Sequence, residues 1–142
     1  MTTRRLVLGA AVLAAAAFAA PAAFGQDPRA SAAVAAARDW LLMTDHGDAA
    51  ESHKRAGARF RAAMTVPDWQ VALARERTPR GAVVQRALAQ TVFQRSLAPG
   101  VDGDFALLQF RTSFAKQSDA GESLTLEREA DGAWRVIGYF IK

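Results

Sequence analysis

Acid–base or metal chemistry has few places to sit in a 142-residue chain with two histidines and no cysteine. Both histidines fall close to a pair of aspartates, in the run Asp45-His46-Gly47-Asp48 followed by His53. A histidine oriented by a carboxylate can act as a general base, so Asp45, His46, Asp48 and His53 are the candidate catalytic residues. The same residues also have a structural use. Gly47 can end one helix in the left-handed conformation, and Asp48 can cap the next. His46 sits beside the turn glycine, and His53 occupies a helix face. Two imidazoles seven residues apart across a turn match no familiar metal-ligand spacing, so no metal and no cofactor is expected. Ser52 and His53 diverge by about 100° on a helix and do not make a nucleophile–base pair. Ser113 and Ser123 have no histidine in reach. The loop Pro99-Gly100-Val101-Asp102-Gly103 lacks both the lysine and the following helix of a phosphate-binding loop. No catalytic assignment follows, and binding is the stronger expectation.

The elements that must position these residues are helical first and extended later. A stripe of Val34, Ala37 and Leu41, flanked by Ala33, Trp40 and Thr44, marks a first helix. A second carries Ala49, His53, Ala56, Phe60 and Ala63 on one face, with Lys54, Arg55, Arg59 and Arg61 elsewhere. Thr65-Val66-Pro67-Asp68 has the form of a capping box, with proline in the first turn. It opens a third helix through Trp69, Ala72 and Leu73, which stops before Thr78-Pro79-Arg80-Gly81. From Ala82 to Leu97 the mixed pattern predicts a long, bulged strand. Asp104–Ala115 alternates, with Ala106, Leu108, Phe110, Thr112 and Phe114 on one side. Glu122–Glu129 places Leu124 and Leu126 on one face. Trp134–Ile141 closes the chain, after an Asp131-Gly132 pair that predicts a two-residue hairpin turn.

The N-terminus has a different character. Arg4 and Arg5 precede an apolar, alanine-rich run from Leu6 to Ala20, then Pro21 and small residues ending Ala23-Phe24-Gly25. This is the pattern of an export signal over residues 1–25, by the general or the twin-arginine route. It leaves a single domain over 26–142, in the periplasm. The whole chain carries a net charge of +4. Nine basic residues face three acids between Glu51 and Arg95, and five face seven from Ser96 onward. The basic helices read as solvated faces. Trp40 and Trp69 lie on apolar stripes, apart from the basic residues, which argues against nucleic acid.

Taken in order, several short motifs resemble a known family. They are Trp40-Leu41, Asp45-x-Gly47-Asp48, Ser52, Trp69 and Arg77-x-Pro79-x-Gly81. Pro99-Gly100, Asp102-Gly103, Phe110-x-Thr112-Ser113-Phe114 and Glu122-x-x-Thr125 follow. The last is Asp131-Gly132-x-Trp134-Arg135-Val136-x-Gly138-Tyr139-Phe140-Ile141. From about Ala32 to Lys142 the chain resembles the bacterial family labelled "domain of unknown function 4019". The resemblance implies an exported protein and brings no activity, cofactor or catalytic residue with it. Ala49 stands where an aromatic is expected and His53 where the family tends to have tryptophan.

The expected fold is α+β, with three N-terminal helices packed on a curved, four-stranded antiparallel meander. That plan is similar to nuclear-transport-factor-like and cystatin-like domains, and folds of this kind host enzymes and non-enzymes alike. The expected function is binding or self-association; the alternative is a small pocket enzyme using a His/Asp pair. Strict alternation along the last strand puts Trp134, Val136 and Phe140 on one face. Ile137, Tyr139 and Ile141 fall on the other, an apolar patch through which a homodimer would form. Which face meets the helices is left open by the pattern.

Overall fold

The computed structural model describes residues 27–142, so the export signal expected over 1–25 lies outside the described residues. Helix α1 runs Pro28–Asp45, with the Asp27 side chain accepting from Arg29 N at 3.0 Å. Gly47 follows it at φ 70, and Asp48 opens α2 (Ala49–Arg55) by accepting from Glu51 N at 3.0 Å. The second helix does not continue as expected. It breaks at Ala56 and Gly57, both extended, and a separate α3 runs Ala58–Ala63. The break lets Gly57 N donate to Val136 O at 2.7 Å. A Cβ on Gly57 would lie 2.7 Å from Ile137 Cγ2, so only glycine allows this approach. Helix α4 spans Val66–Arg77, and Thr65 caps it by accepting from Asp68 N at 3.3 Å.

The four strands are β1 (Val83–Ala98), β2 (Val101–Phe114), β3 (Gln117–Arg128) and β4 (Trp134–Ile141). They form one antiparallel sheet in the order β1-β2-β3-β4. The architecture is therefore α+β, N-terminal helices on a four-stranded antiparallel meander, with four helices in place of three among the described residues. The β3–β4 turn differs from the expected two-residue form. Only Gly132 has positive φ, and Gly132 N donates to Glu129 O at 2.8 Å. The result is a longer turn with glycine in the left-handed position.

Ala106, Leu108, Phe110, Thr112 and Phe114 of β2 all point at the helices and are buried. Leu124, Leu126, Trp134 and Val136 join them against Trp40, Leu41, Phe60, Trp69 and Leu73. Trp40 and Trp69 stack at 5.7 Å. Their indole N–H groups both end on Ser52, at its carbonyl (2.8 Å) and its hydroxyl (2.9 Å).

The expected homodimer patch does not form. Thr125 pairs with Gly138 and Leu126 with Val136, so Ile137 is an extra residue in β4. A bulge of one residue reverses the alternation beyond it. Tyr139 and Ile141 consequently turn to the same side as Trp134 and Val136. Tyr139 packs on Trp40 at 5.3 Å, Ile141 on Phe114 and Ala120, and Ile137 sits at Gly57. Phe140 faces outward instead and is 52% exposed.

Candidate functional site

Of the four candidate residues, Asp45 alone enters a cluster of charges. His46 Nδ1 lies 2.6 Å from Leu42 O, and His53 Nε2 lies 2.6 Å from Met64 O. Asp48 is spent on its helix cap. No imidazole–carboxylate pair forms among the described residues, so these groups are not brought together as an acid–base pair.

Asp45, at the last residue of α1, meets Arg77 from the last turn of α4 and Arg86 from β1. Its Oδ1 accepts from Arg77 at 2.5 Å and from Arg86 at 2.8 Å, and its Oδ2 accepts from Arg86 at 2.8 Å. Arg86 Nε continues to Glu122 Oε1 at 2.7 Å. Glu122, on β3, is 0% exposed. Thr112 of β2 donates to the same oxygen at 2.5 Å, and the Tyr139 hydroxyl of β4 donates to Oε2. Two helices and all four strands thus send a side chain to one buried polar cluster. Burial pushes the Asp45 carboxyl up, and hydrogen bonds from Arg86 and Arg77 more than reverse this, leaving it below its usual 3.8. Burial raises the Tyr139 phenol far above its usual 10.0, and the Glu122 charge adds to the effect.

Two arginines balance two carboxylates, and each carboxylate oxygen has at least one donor. A buried set of charges is tolerated only when paired and hydrogen-bonded in this way. The cluster ties the helix ends to the sheet. Glu122 holds three donors, two on Oε1 and one on Oε2, and is sealed from solvent.

Sequence parity carried a signal for this cluster. Thr112 shares the inward face of β2 with Phe110 and Phe114, and Glu122 shares the parity of Leu124 and Leu126. Inward polar residues on adjacent strands call for each other and for a counter-charge, which Arg86 supplies. Arg77, Glu122 and Tyr139 also lie in the motifs that carried the family resemblance, with no role attached.

The sheet's other face is closed at one end, where Phe105 is fully buried with Arg59 of α3 over its ring, and open further along β2, where Gln109 and Arg111 are exposed. There the register sets Ala87 opposite Arg111 and Arg111 opposite Gly121, with Gln85 opposite Ser113. A groove of about 620 Å³ runs over these residues and reaches Ser118 and Asp119. Its lining mixes small residues such as Ala87, Ala120 and Gly121 with the polar Arg111, Ser113 and Asp119.

Residues 36–139 match the model of a family described as "Protein of unknown function (DUF4019)". The chain belongs to that family. The match takes in Asp45, Arg77, Arg86, Thr112, Glu122 and Tyr139, and the groove residues as well. No curated protein and no solved structure matches this DUF4019 chain. The expected likeness to nuclear-transport-factor-like and cystatin-like domains has no matching structure behind it.

Proposed function

We propose that this DUF4019 chain is an exported, non-catalytic binding domain that takes its ligand on the open face of the sheet. The observation that carries this reading is how the polar groups divide between the two faces. On the helix side, Asp45, Arg77, Arg86, Glu122 and Tyr139 are consumed by one another. On the open side, a groove of about 620 Å³ presents Gln85, Arg111, Ser113, Ser118 and Asp119 to solvent. A concave site with a few placed polar groups is the usual form of a small-ligand surface.

The export half rests on the basic, apolar and small-residue sequence of residues 1–25, and puts the mature N-terminus near Gln26. Native mass spectrometry of protein recovered from the periplasm tests both halves. The expected result is a mature mass beginning at Gln26, with a small bound species that Arg111→Gln releases. A chain retaining Met1 in the exported pool would overturn cleavage of the signal, and a chain found only inside the cell would overturn export. A bound species indifferent to Arg111→Gln would overturn the groove.

A further inference from the structure

We propose that the groove binds a short peptide with free ends, its carboxylate on Arg111 and its ammonium group on Asp119. This rests on the reading of the open sheet face as a binding surface. Elsewhere in the fold arginines and carboxylates largely find one another. Arg59 reaches Glu127 at 2.8 Å, Arg80 reaches Glu76 at 3.1 Å, and Arg135 reaches Asp131 at 2.7 Å. Among the described residues, Arg111 and Asp119 make no ion pair and no side-chain hydrogen bond, although both line one groove.

The register explains why they stand apart. Arg111 is flanked across both ladders by Ala87 and Gly121, the smallest neighbours available. Asp119 lies two residues before Gly121, in the bulge that sets Ser118 and Asp119 against the single residue Ser113. In a regular ladder a diagonal pair is roughly 7–8 Å apart and within reach of a long side chain. The bulge re-aims Asp119 away from that arrangement, and an extended dipeptide, spanning about 7 Å, is the size of ligand that would bridge the two charges. Opposite charges at this spacing favour a ligand that carries both, and a singly charged one leaves one of them unmatched. Ser113, Ser118 and Gln85 supply donors and acceptors around the same groove, which suits the amide of a peptide bond. Arg111 can meet a carboxylate through two parallel N–H groups.

The test uses the mature chain, nitrogen-labelled, with L-alanyl-L-alanine as probe and its N-acetyl and C-amide derivatives as controls. The free dipeptide should shift the backbone resonances of Arg111, Ser113 and Gly121 saturably, and each blocked derivative should bind about two- to fivefold more weakly. Arg111→Gln should abolish the preference for a free carboxylate, and Asp119→Asn the preference for a free amine. Both positions are exposed, so the variants should keep the fold, which circular dichroism checks. Equal binding of free and blocked peptides would overturn the ligand assignment and leave the groove standing. Groove resonances that stay still with every probe at millimolar concentration would overturn the peptide assignment. In that case the release of a retained species by Arg111→Gln would still report separately on the groove.

Discussion

Glu122 shows how much of this molecule depends on single side chains. Its carboxylate is fully buried and serves Arg86, Thr112 and Tyr139 together. Glu122→Gln keeps the volume and removes the charge, leaving Arg77 and Arg86 against Asp45 alone. Breaking a buried pair in this way costs roughly 3–5 kcal/mol, and a lowered urea midpoint would register it. Asp45 gives the acid side. Its folded carboxyl is depressed below 3.8, so its stabilisation is present above that value and disappears as pH falls through the folded one. Asp45→Asn should therefore flatten the loss of stability below about pH 4, read by unfolding at a series of pH values. Tyr139 gives the alkaline side with the opposite sign. It is the protein's single tyrosine, and its phenol is raised above 10.0. Its contribution is present below pH 10 and falls as pH rises beyond it. Ultraviolet titration should show no phenolate at pH 10 until the chain unfolds. A normal phenolate titration in the folded protein would mean the Tyr139–Glu122 contact is absent.

At the scale of elements, the informative contact is between the α2–α3 break and the β4 bulge. Gly57 N bonds Val136 O, and the space for a Cβ at Gly57 is already taken by Ile137 Cγ2 at 2.7 Å. That methyl branches from Cβ of Ile137 and cannot swing aside without moving the strand. Gly57→Ala should therefore destabilise by roughly 1–3 kcal/mol, the cost of overpacking. This holds although the φ of −70 at Gly57 suits alanine well. Thermal unfolding measures it. An unchanged midpoint would mean that α3 docks more loosely than this. The bulge and the break explain each other: an extra residue in the strand and an interrupted helix meet where neither regular element could.

For the whole molecule, the bulge also decides what the last strand is for. Ile141 is buried with Phe114 and Ala120 at the far end of the sheet. Ile141→Asp should cost at least about 2 kcal/mol of folding stability. The loss should be the same at every protein concentration, because the side chain packs within its own chain. A concentration-dependent midpoint in the unmodified protein, abolished by Ile141→Asp, would restore a dimer through this strand.

The sequence by itself determined the element order, the helix caps at Asp48 and Thr65, the bulged first strand and the α+β meander. Those features are local: hydrophobic period, cap chemistry and proline or glycine stops act over a few residues, and each can be read where it stands. The motifs also determined the family. Tertiary structure alone decided the rest. The second helix divides because Gly57 is needed by a strand eighty residues away in the chain. The patch of Ile137, Tyr139 and Ile141 disappears because one unpaired residue reverses the faces beyond it. Asp45 finds Arg86 and Glu122 instead of a histidine because the sheet register, which no local pattern specifies, carries those charges to the end of α1. Pairing between distant segments chooses which polar groups are consumed in the interior and which, like Arg111 and Asp119, are left facing solvent.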